Sequence, residues 1–493
     1  MGCALVLGAW SSAAVAQSSG AVPRVTPTAA ATVEYYLYRN GANEDLGGQF
    51  VTTLSPGIQA SSRSGRVTGS LSYRLDIVNY SKQSEENELR NFLSATVAAE
   101  VVEDWAFVNA AASIDQQNIS PFGQQSSADS SSVNDNRTEV ATVSVAPSLR
   151  GRVGGDVEYQ LGALAEGTTT RNYSAGDSLT TQVNAFLGSV QRGTRFGWSL
   201  DATAERVEYR QGRSSEDASV NATLFSNPTN ELQLSLSVGG EANNFTSLDT
   251  LRNATWGAGV RWTPSPRTVA DISAEHRYFG RGYNILLEHR RARSIWRFTS
   301  SRDDVTGSDP MGVGQPWSLY QLYDAQFVSL APDPVARDQL VRDLLRATGQ
   351  DPNAVVSGGF VSSEVRVERR DDLSLALLGR RTNFNLQAFQ LDSTPVDDPL
   401  TTSTYGQVKQ YGGSASLSHR LTPRWSVSLS GSWQRTEDNA ENSGNDLREL
   451  NLAWTGNVGP RASASFGVRY TDFVSVSDPY TESTVYAALS VSF

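Results

Sequence analysis

Apolar and polar residues alternate with period two over most of the chain, the signature of strands with one lipophilic face and one wettable face. Val67, Gly69, Leu71, Tyr73, Leu75 and Ile77 interleave with Thr68, Ser70, Ser72, Arg74 and Asp76. Trp425, Val427, Leu429, Gly431 and Trp433 interleave with Ser426, Ser428, Ser430, Ser432 and Gln434. The second segment has a tryptophan at each end of its apolar run. Roughly eight residues at about 3.3 Å each cover about 25 Å, the height of a lipid-facing band between two aromatic girdles. Similar faces recur at Phe196, Trp198, Leu200 and Ala202, at Leu232, Leu234, Leu236 and Val238, and at Ala462, Ala464, Phe466, Val468 and Tyr470.

The connections between these segments alternate in length. Short turns are predicted at Ser64-Gly65, Glu103-Asp104, Gly154-Gly155, Arg192-Gly193, Asn227-Pro228, Thr263-Pro264, Thr422-Pro423 and Gly459-Pro460, dipeptides that suit tight hairpins. Longer polar loops lie between them, at residues 121–136, 396–407 and 437–446. Short turns at one end and long loops at the other characterise outer-membrane barrels, whose long loops face outward from the cell. Counting hairpins predicts an all-β, antiparallel up-and-down transmembrane barrel of about 22 strands with both termini in the periplasm. The last strand, Val485, Ala487, Leu489, Val491 and Phe493 against polar or small alternates, ends on the aromatic Phe493. Such an ending looks like the signal read by the barrel assembly machinery, which would make that machinery a partner.

Residues 316–350 break the pattern. The period becomes helical, with Leu319, Leu322, Tyr323 and Phe327 on one stripe and Leu340, Val341, Leu344 and Leu345 on another,. Asp333 fits an N-cap, Pro334 the first helical position and Gly349 a C-terminal stop,. The expectation is a pair of short helices inserted in an extracellular loop over residues 308–358. Their apolar stripes need a surface, which the barrel mouth or lumen would supply to a plug, or which the helices would supply to each other above the rim.

Composition agrees with a barrel. Hydrophobic residues make up 39% of the chain, below the roughly 45–50% of soluble domains, and the mean hydropathy is -0.36. Beyond the first twenty positions no run of about 18 apolar residues exists, which excludes a helical membrane protein. A barrel escapes both limits because only the outward half of each strand is apolar. Residues 1–16 end in Ala14-Val15-Ala16 before Gln17, the small-x-small pattern of a signal peptide cleaved after Ala16. Residues 17–24 then form a periplasmic N-terminal segment and residues 25–493 the barrel. The one cysteine, Cys3, falls in the signal segment, so the mature chain has neither disulfides nor thiolate metal sites. A net charge of -11 argues against nucleic acid as a partner.

Candidate chemistry concentrates beside the helical insertion. If Ala270, Ile272 and Ala274 face lipid, then Asp271, Glu275 and Arg277 face the lumen. By the same parity Glu288, Arg290, Arg297, Glu364, Arg366, Glu368 and Arg370 also point inward. Ladders of both signs neutralise each other and stiffen a wall, filter passing charge, or hold a plug by ion pairs. Nothing points to an enzyme: His276, His289 and His419 are not in metal-ligand spacing, and no G-x-S-x-G or P-loop occurs,. No cofactor or metal is expected. The acidic pairs Glu85-Glu86, Asp303-Asp304 and Asp371-Asp372 read as solvated groups in loops or near strand ends.

The chain resembles the outer-membrane β-barrel proteins associated with PEP-CTERM sorting and exopolysaccharide gene clusters. The resemblance is carried by Leu54-Ser55-Pro56-Gly57-Ile58 followed by Gly65-Arg66, by the tyrosine-bearing third strand, by Arg277-Tyr278-Phe279-Gly280 with His289 and Trp296 after it, and by the Asp333-Pro334 helix before a strand closing at Gly379-Arg380-Arg381. The first strand, Glu34-Tyr35-Tyr36-Leu37-Tyr38, departs from that family's Asp-Asn-rich opening. The resemblance implies a porin-like conduit in the outer membrane of a Gram-negative bacterium, with outer-membrane lipid around it and polysaccharide or periplasmic export components as partners. A non-conducting scaffold or surface receptor is the alternative.

Overall fold

A computed structural model describes residues 24–40, 45–126, 133–171, 173, 176–189, 195–306, 319–327, 337, 340–342, 344–345, 360, 362, 364–396, 406–438, 444–476 and 478–493. The signal segment therefore lies outside the described residues. The chain forms β1 (Arg24–Asn40), β2 (Asp45–Ser64), β3 (Val67–Tyr80), β4 (Glu88–Val102), β5 (Ala106–Asn118), β6 (Arg137–Val153), β7 (Val157–Thr170) and β8 (Ser178–Ser189). There follow β9 (Phe196–Tyr209), β10 (Ser215–Ser226), β11 (Leu232–Asn243), β12 (Leu251–Ser265), β13 (Thr268–Arg277), β14 (Gly280–Arg291) and β15 (Ser294–Thr306). After the helix α1 (Leu319–Phe327) come β16 (Val365–Leu378), β17 (Thr382–Pro395), β18 (Val408–Arg420), β19 (Trp425–Asp438), β20 (Asn445–Gly459), β21 (Ala462–Ser475) and β22 (Tyr480–Ser492).

These strands make one 22-stranded sheet that closes when β1 pairs with β22, Val33 opposite Ala487. Every pairing is antiparallel between chain neighbours, so the topology is up-and-down. Closure satisfies every strand edge, the condition for placing backbone amides in hydrocarbon. No described helix is long and apolar enough to cross a membrane; a barrel crosses with its strands.

The register fixes which residues share a face. On the outer face Leu236, Val238 and Trp256 stand 65% exposed and Leu224 67%. The outward residues of β19 are Trp425, Val427, Leu429, Gly431 and Trp433, flanked on β20 by Trp454, Leu452 and Leu450. An apolar surface that runs around a whole sheet is unstable in water and stable in lipid. This is the architecture of outer-membrane barrels.

Connections at the end that holds both termini are short, as the turn dipeptides predict. Gly154 and Gly155 adopt φ of 62° and 83° between β6 and β7, a conformation that costs glycine nothing. One turn is displaced: β12 continues through Thr263-Pro264 to Ser265, and the reversal occurs at Pro266-Arg267, with Ser265 opposite Thr268. The register shifts between Trp262 and Ser265, so an irregular strand end accommodates Pro264, which cannot donate to the ladder. At the opposite end the loop after β5 folds inward across the mouth. Tyr480 Oη donates to the Gln125 carbonyl at 2.8 Å and Asn445 Nδ2 to the Pro121 carbonyl at 3.0 Å, tying that loop to β20 and β22. Beneath it Tyr36, Val51, Val78 and Tyr80 form a buried cluster, with Tyr38 and Val133 against it.

Candidate functional site

Parity along β13 to β16 puts the predicted charged residues on the inner face. Directly registered partners share a face, and Ile295 and Ala376, which touch the helical insertion, are registered partners. Counting by twos from them brings Arg297, Arg370, Glu368 and Arg366 inward, then Glu288 and Arg290 opposite Arg297 and Ile295. One strand further, Asp271, Glu275 and Arg277 point the same way.

These residues form local clusters. Near the terminal end of the barrel, Glu288 lies 3.3 Å from Arg290 and 3.2 Å from Arg297. Asp271 pairs with Arg261 of β12 at 3.2 Å. Midway along β16, Arg370 holds Asp372 at 2.8 Å with both side chains buried. Above them Arg366 donates to Ser393 Oγ at 2.8 Å and to the Gly406 carbonyl at 2.8 Å, lies 3.5 Å from Glu364, and shares Ser393 with Glu368.

Arg277 is the hub of the largest cluster. The hairpin of β13 and β14 ends in the two-residue link Tyr278-Phe279, with Gly280 at φ 98°, which sets Arg277 at its lip. Its Nε is 3.1 Å from Glu241 of β11, and its Nη1 is 2.8 Å from Asp304 and in contact with Asp303. Glu241 also accepts the main-chain N–H of Tyr278. Thr306 Oγ1 donates to Glu205 of β9 at 2.8 Å, so the top of β15 reaches toward the β9 side of the wall.

Two acidic pairs behave differently from the sequence expectation. Asp371-Asp372 sits in the middle of β16, with Asp372 ion-paired to Arg370 and Asp371 accepting from Ser300. Asp303-Asp304 binds Arg277 as part of β15. Consecutive acids alternate across a strand, and an arginine replaces the solvation of the inward Asp372, whereas at the top of β15, beyond the end of β14, Arg277 takes both Asp303 and Asp304,. Glu241 escaped notice, although strand parity with Ser235 and Ser237 marks it as inward.

The helical insertion completes the site. The chain leaves β15 at the loop end of the barrel, yet α1 lies at the other end, against the inner wall near the β14–β15 turn. Gln326 Nε2 donates to the Arg291 carbonyl at 2.8 Å, and Arg290 Nη1 donates to the Ala325 carbonyl at 3.3 Å. Tyr323, Val341 and Leu345 are buried together on Ile295 and Ala376, with Leu344 packed beside them. Leu340 is half-buried, and the side chains of Leu319 and Leu322 lie outside the described residues. Arg337 joins the second helical segment to α1 through Asp324 at 2.8 Å, and Arg342 lies over the Tyr320 ring. Burial pushes the Tyr323 phenol up to about 12, against a hydrogen bond with Asn385 of β17.

The wall adjoining β16 beyond β17 is largely neutral. Between its charged ends at Arg420 and Asp438, the inward residues are Gln410, Gly412, Ser414, Ser416 and Ser418 of β18 and, from Ser426 to Thr436 of β19, serine, glutamine and threonine. All three histidines lie on the outer face; His276 stacks on Trp256, and the other two are held by a threonine hydroxyl, His289 Nδ1 by Thr268 at 2.9 Å and His419 Nδ1 by Thr382 at 2.8 Å.

No family model matches the chain, and no curated protein matches its sequence. Among solved structures it is similar to BauA, the ferric preacinetobactin receptor of Acinetobacter baumannii, at 10% identity and a TM-score of 0.49, covering 95% of this chain and 81% of that one. The siderophore receptor PirA of Pseudomonas aeruginosa is similar at 9% identity and a TM-score of 0.45, covering 95% and 80%. An OmpT of Vibrio cholerae lacking loop L8, an outer membrane protein, is similar at 8% identity and a TM-score of 0.33, covering 96% and 99%.

Proposed function

We propose that this protein is a conduit in the outer membrane of a Gram-negative bacterium, closed at rest by its own β15–β16 insertion. The observation that carries this reading is the packing of Tyr323, Val341 and Leu345 on the lumenal residues Ile295 and Ala376, at the opposite end of the barrel from the loop that supplies them. A loop that served only the cell surface would have no reason to bury apolar side chains there. The neutral wall of serine and glutamine suits a solute rich in hydroxyl groups, which exchanges hydrogen bonds with such a surface at little net cost. Exopolysaccharide is the cargo class that fits, in line with the family resemblance.

The second reading is a non-conducting scaffold, favoured by the inward fold of the loop after β5, which Asn445 and Tyr480 hold across the mouth. Planar-bilayer recordings separate the two. The conduit predicts a nearly silent full chain and stable large openings once residues 316–350 are removed. A barrel that stays silent after that deletion belongs to the scaffold.

A further inference from the structure

The outer face carries one electrostatic irregularity. Arg302 of β15 stands directly opposite Arg369 of β16, and both point away from the lumen. Like charges in direct register repel. Among the described residues, the other charged pairs in register on this face have opposite signs: Arg206 with Glu216, Arg369 with Asp392, Asp392 with Lys409, Lys409 with Glu437, Arg435 with Asp446 and Arg448 with Asp472.

The repulsion has a location. Arg302 shares its rung with the outward Tyr283, and Tyr411 and Trp433 sit just below Lys409 and Glu437, so the arginine pair lies at the aromatic girdle of the loop end. Because the β13–β14 hairpin is short, a notch of about 420 Å³ opens above it, lined by Phe279, Arg302, Val367, Arg369, Asp392 and Thr394 among others. The Arg302 guanidinium lies 5.1 Å from the Phe279 ring centre and donates to the Arg281 carbonyl. Two acids are close, and both lie beside Arg369: Asp371 is 3.3 Å from it, and Asp392, registered opposite it, also accepts from Gln407 at 2.6 Å, so Arg302 is the guanidinium of the pair left to an anion and Arg369 the second donor. Among the described residues neither Arg281 nor Arg302 has a carboxylate partner.

We propose that this notch binds the phosphate of a phosphorylated lipid headgroup in the outer leaflet, with Arg302 and Arg369 donating to the anion. A phosphate between two guanidinium groups converts their repulsion into charge-assisted hydrogen bonds. The site opens toward lipid at headgroup height, and Phe279 and Val367 give the rest of the lipid an apolar seat. The proposal rests on the outer-membrane placement of the barrel and is independent of whether the barrel conducts.

The test uses the full chain in neutral detergent, with bound lipid read by native mass spectrometry and folding of each variant checked by heat-modifiable migration. The probes are bis-phosphorylated lipid A, its dephosphorylated form and inorganic phosphate. The wild-type barrel is expected to retain lipid A, and Arg302→Gln combined with Arg369→Gln to weaken retention about tenfold or more. Arg448→Gln, from an oppositely charged pair of the same girdle, leaves retention unchanged. If the double variant does not fold, Arg302→Gln alone gives the readout. Equal retention by wild type and variant, equal retention of dephosphorylated lipid, or inorganic phosphate displacing lipid A at equal concentration would each overturn the proposal, the last by marking a site for soluble anions.

Discussion

The inner faces of β13–β16 and of β18–β19 occupy one barrel and obey one parity, yet they differ in kind. On the first, many inward positions are arginine, aspartate and glutamate bound into clusters around Arg277, Glu288, Arg366 and Arg370. On the second, between Arg420 and Asp438 at its ends, they are mostly serine, glutamine and threonine. Outward, both walls present the same apolar band. The difference lies in what each inner wall has to hold. The charged wall fixes a non-strand element: the carbonyl of Ala325 and the side chain of Gln326 reach Arg290 and Arg291 beside a small apolar seat at Ile295 and Ala376. Among the described residues the neutral wall has no helix seat like that at Ile295 and Ala376, and it presents a track of hydroxyl groups.

The comparison breaks most visibly if the insertion is removed. Liposomes containing the barrel without residues 316–350 are expected to swell in neutral oligosaccharides, whereas full-chain liposomes resist. Equal swelling rates for both would show that the insertion does not obstruct the lumen. Next in size is the loss of a hub. Arg277→Gln leaves the buried Glu241 facing Asp303 and Asp304 without its cation, and removing one partner of a buried ion pair costs about 3–5 kcal/mol. The matching change on the neutral wall, Ser430→Ala, is expected to stay within about 0.5 kcal/mol. Urea unfolding of both variants in lipid vesicles measures the contrast, and similar midpoints would erase the distinction between the walls.

A smaller effect probes the seat itself. Val341→Asp puts a carboxylate against Ile295 and Ala376 and loosens the helices without touching the strands. Brief openings should appear in bilayer recordings of a chain whose unfolding midpoint is unchanged; continued silence would place the barrier elsewhere. Smallest is a change of filter. Ser430→Asp adds one charge to the neutral wall and should shift the reversal potential of the deleted barrel in a salt gradient toward cations by a few millivolts, on the order of the weak coupling expected for a hydrated charge in a wide pore. No shift would mean that ions do not pass along that wall.

The barrel was legible in the sequence because period two repeats across the whole chain and a one-residue slip would turn every strand inside out. Strand parity likewise assigned Asp271, Glu275, Arg290 and Arg366 to the inner face. What parity could not give was partnership. Glu241 and Arg277 lie two strands apart, and Arg302 faces Arg369 only through a register set after a long insertion. The helical period located α1, while its depth in the lumen depends on contacts with Ile295 and Ala376, which no local pattern encodes. Pro264 misled through composition: a Thr-Pro step suits a turn, and the strand passes through it to a reversal two residues later.

The central claim is that the insertion descends inside the barrel to the end that holds the termini. Its most direct test is a disulfide between Val341→Cys and Ala376→Cys in a Cys3→Ser chain, which has no other cysteine. In the assembled protein the pair should oxidise in high yield, and reduction should restore the parent's behaviour. If Val341→Cys instead fails to link to Ala376→Cys and crosslinks to a cysteine placed on the outer loop, at Gln125, the helices do not reside in the lumen and the account is wrong.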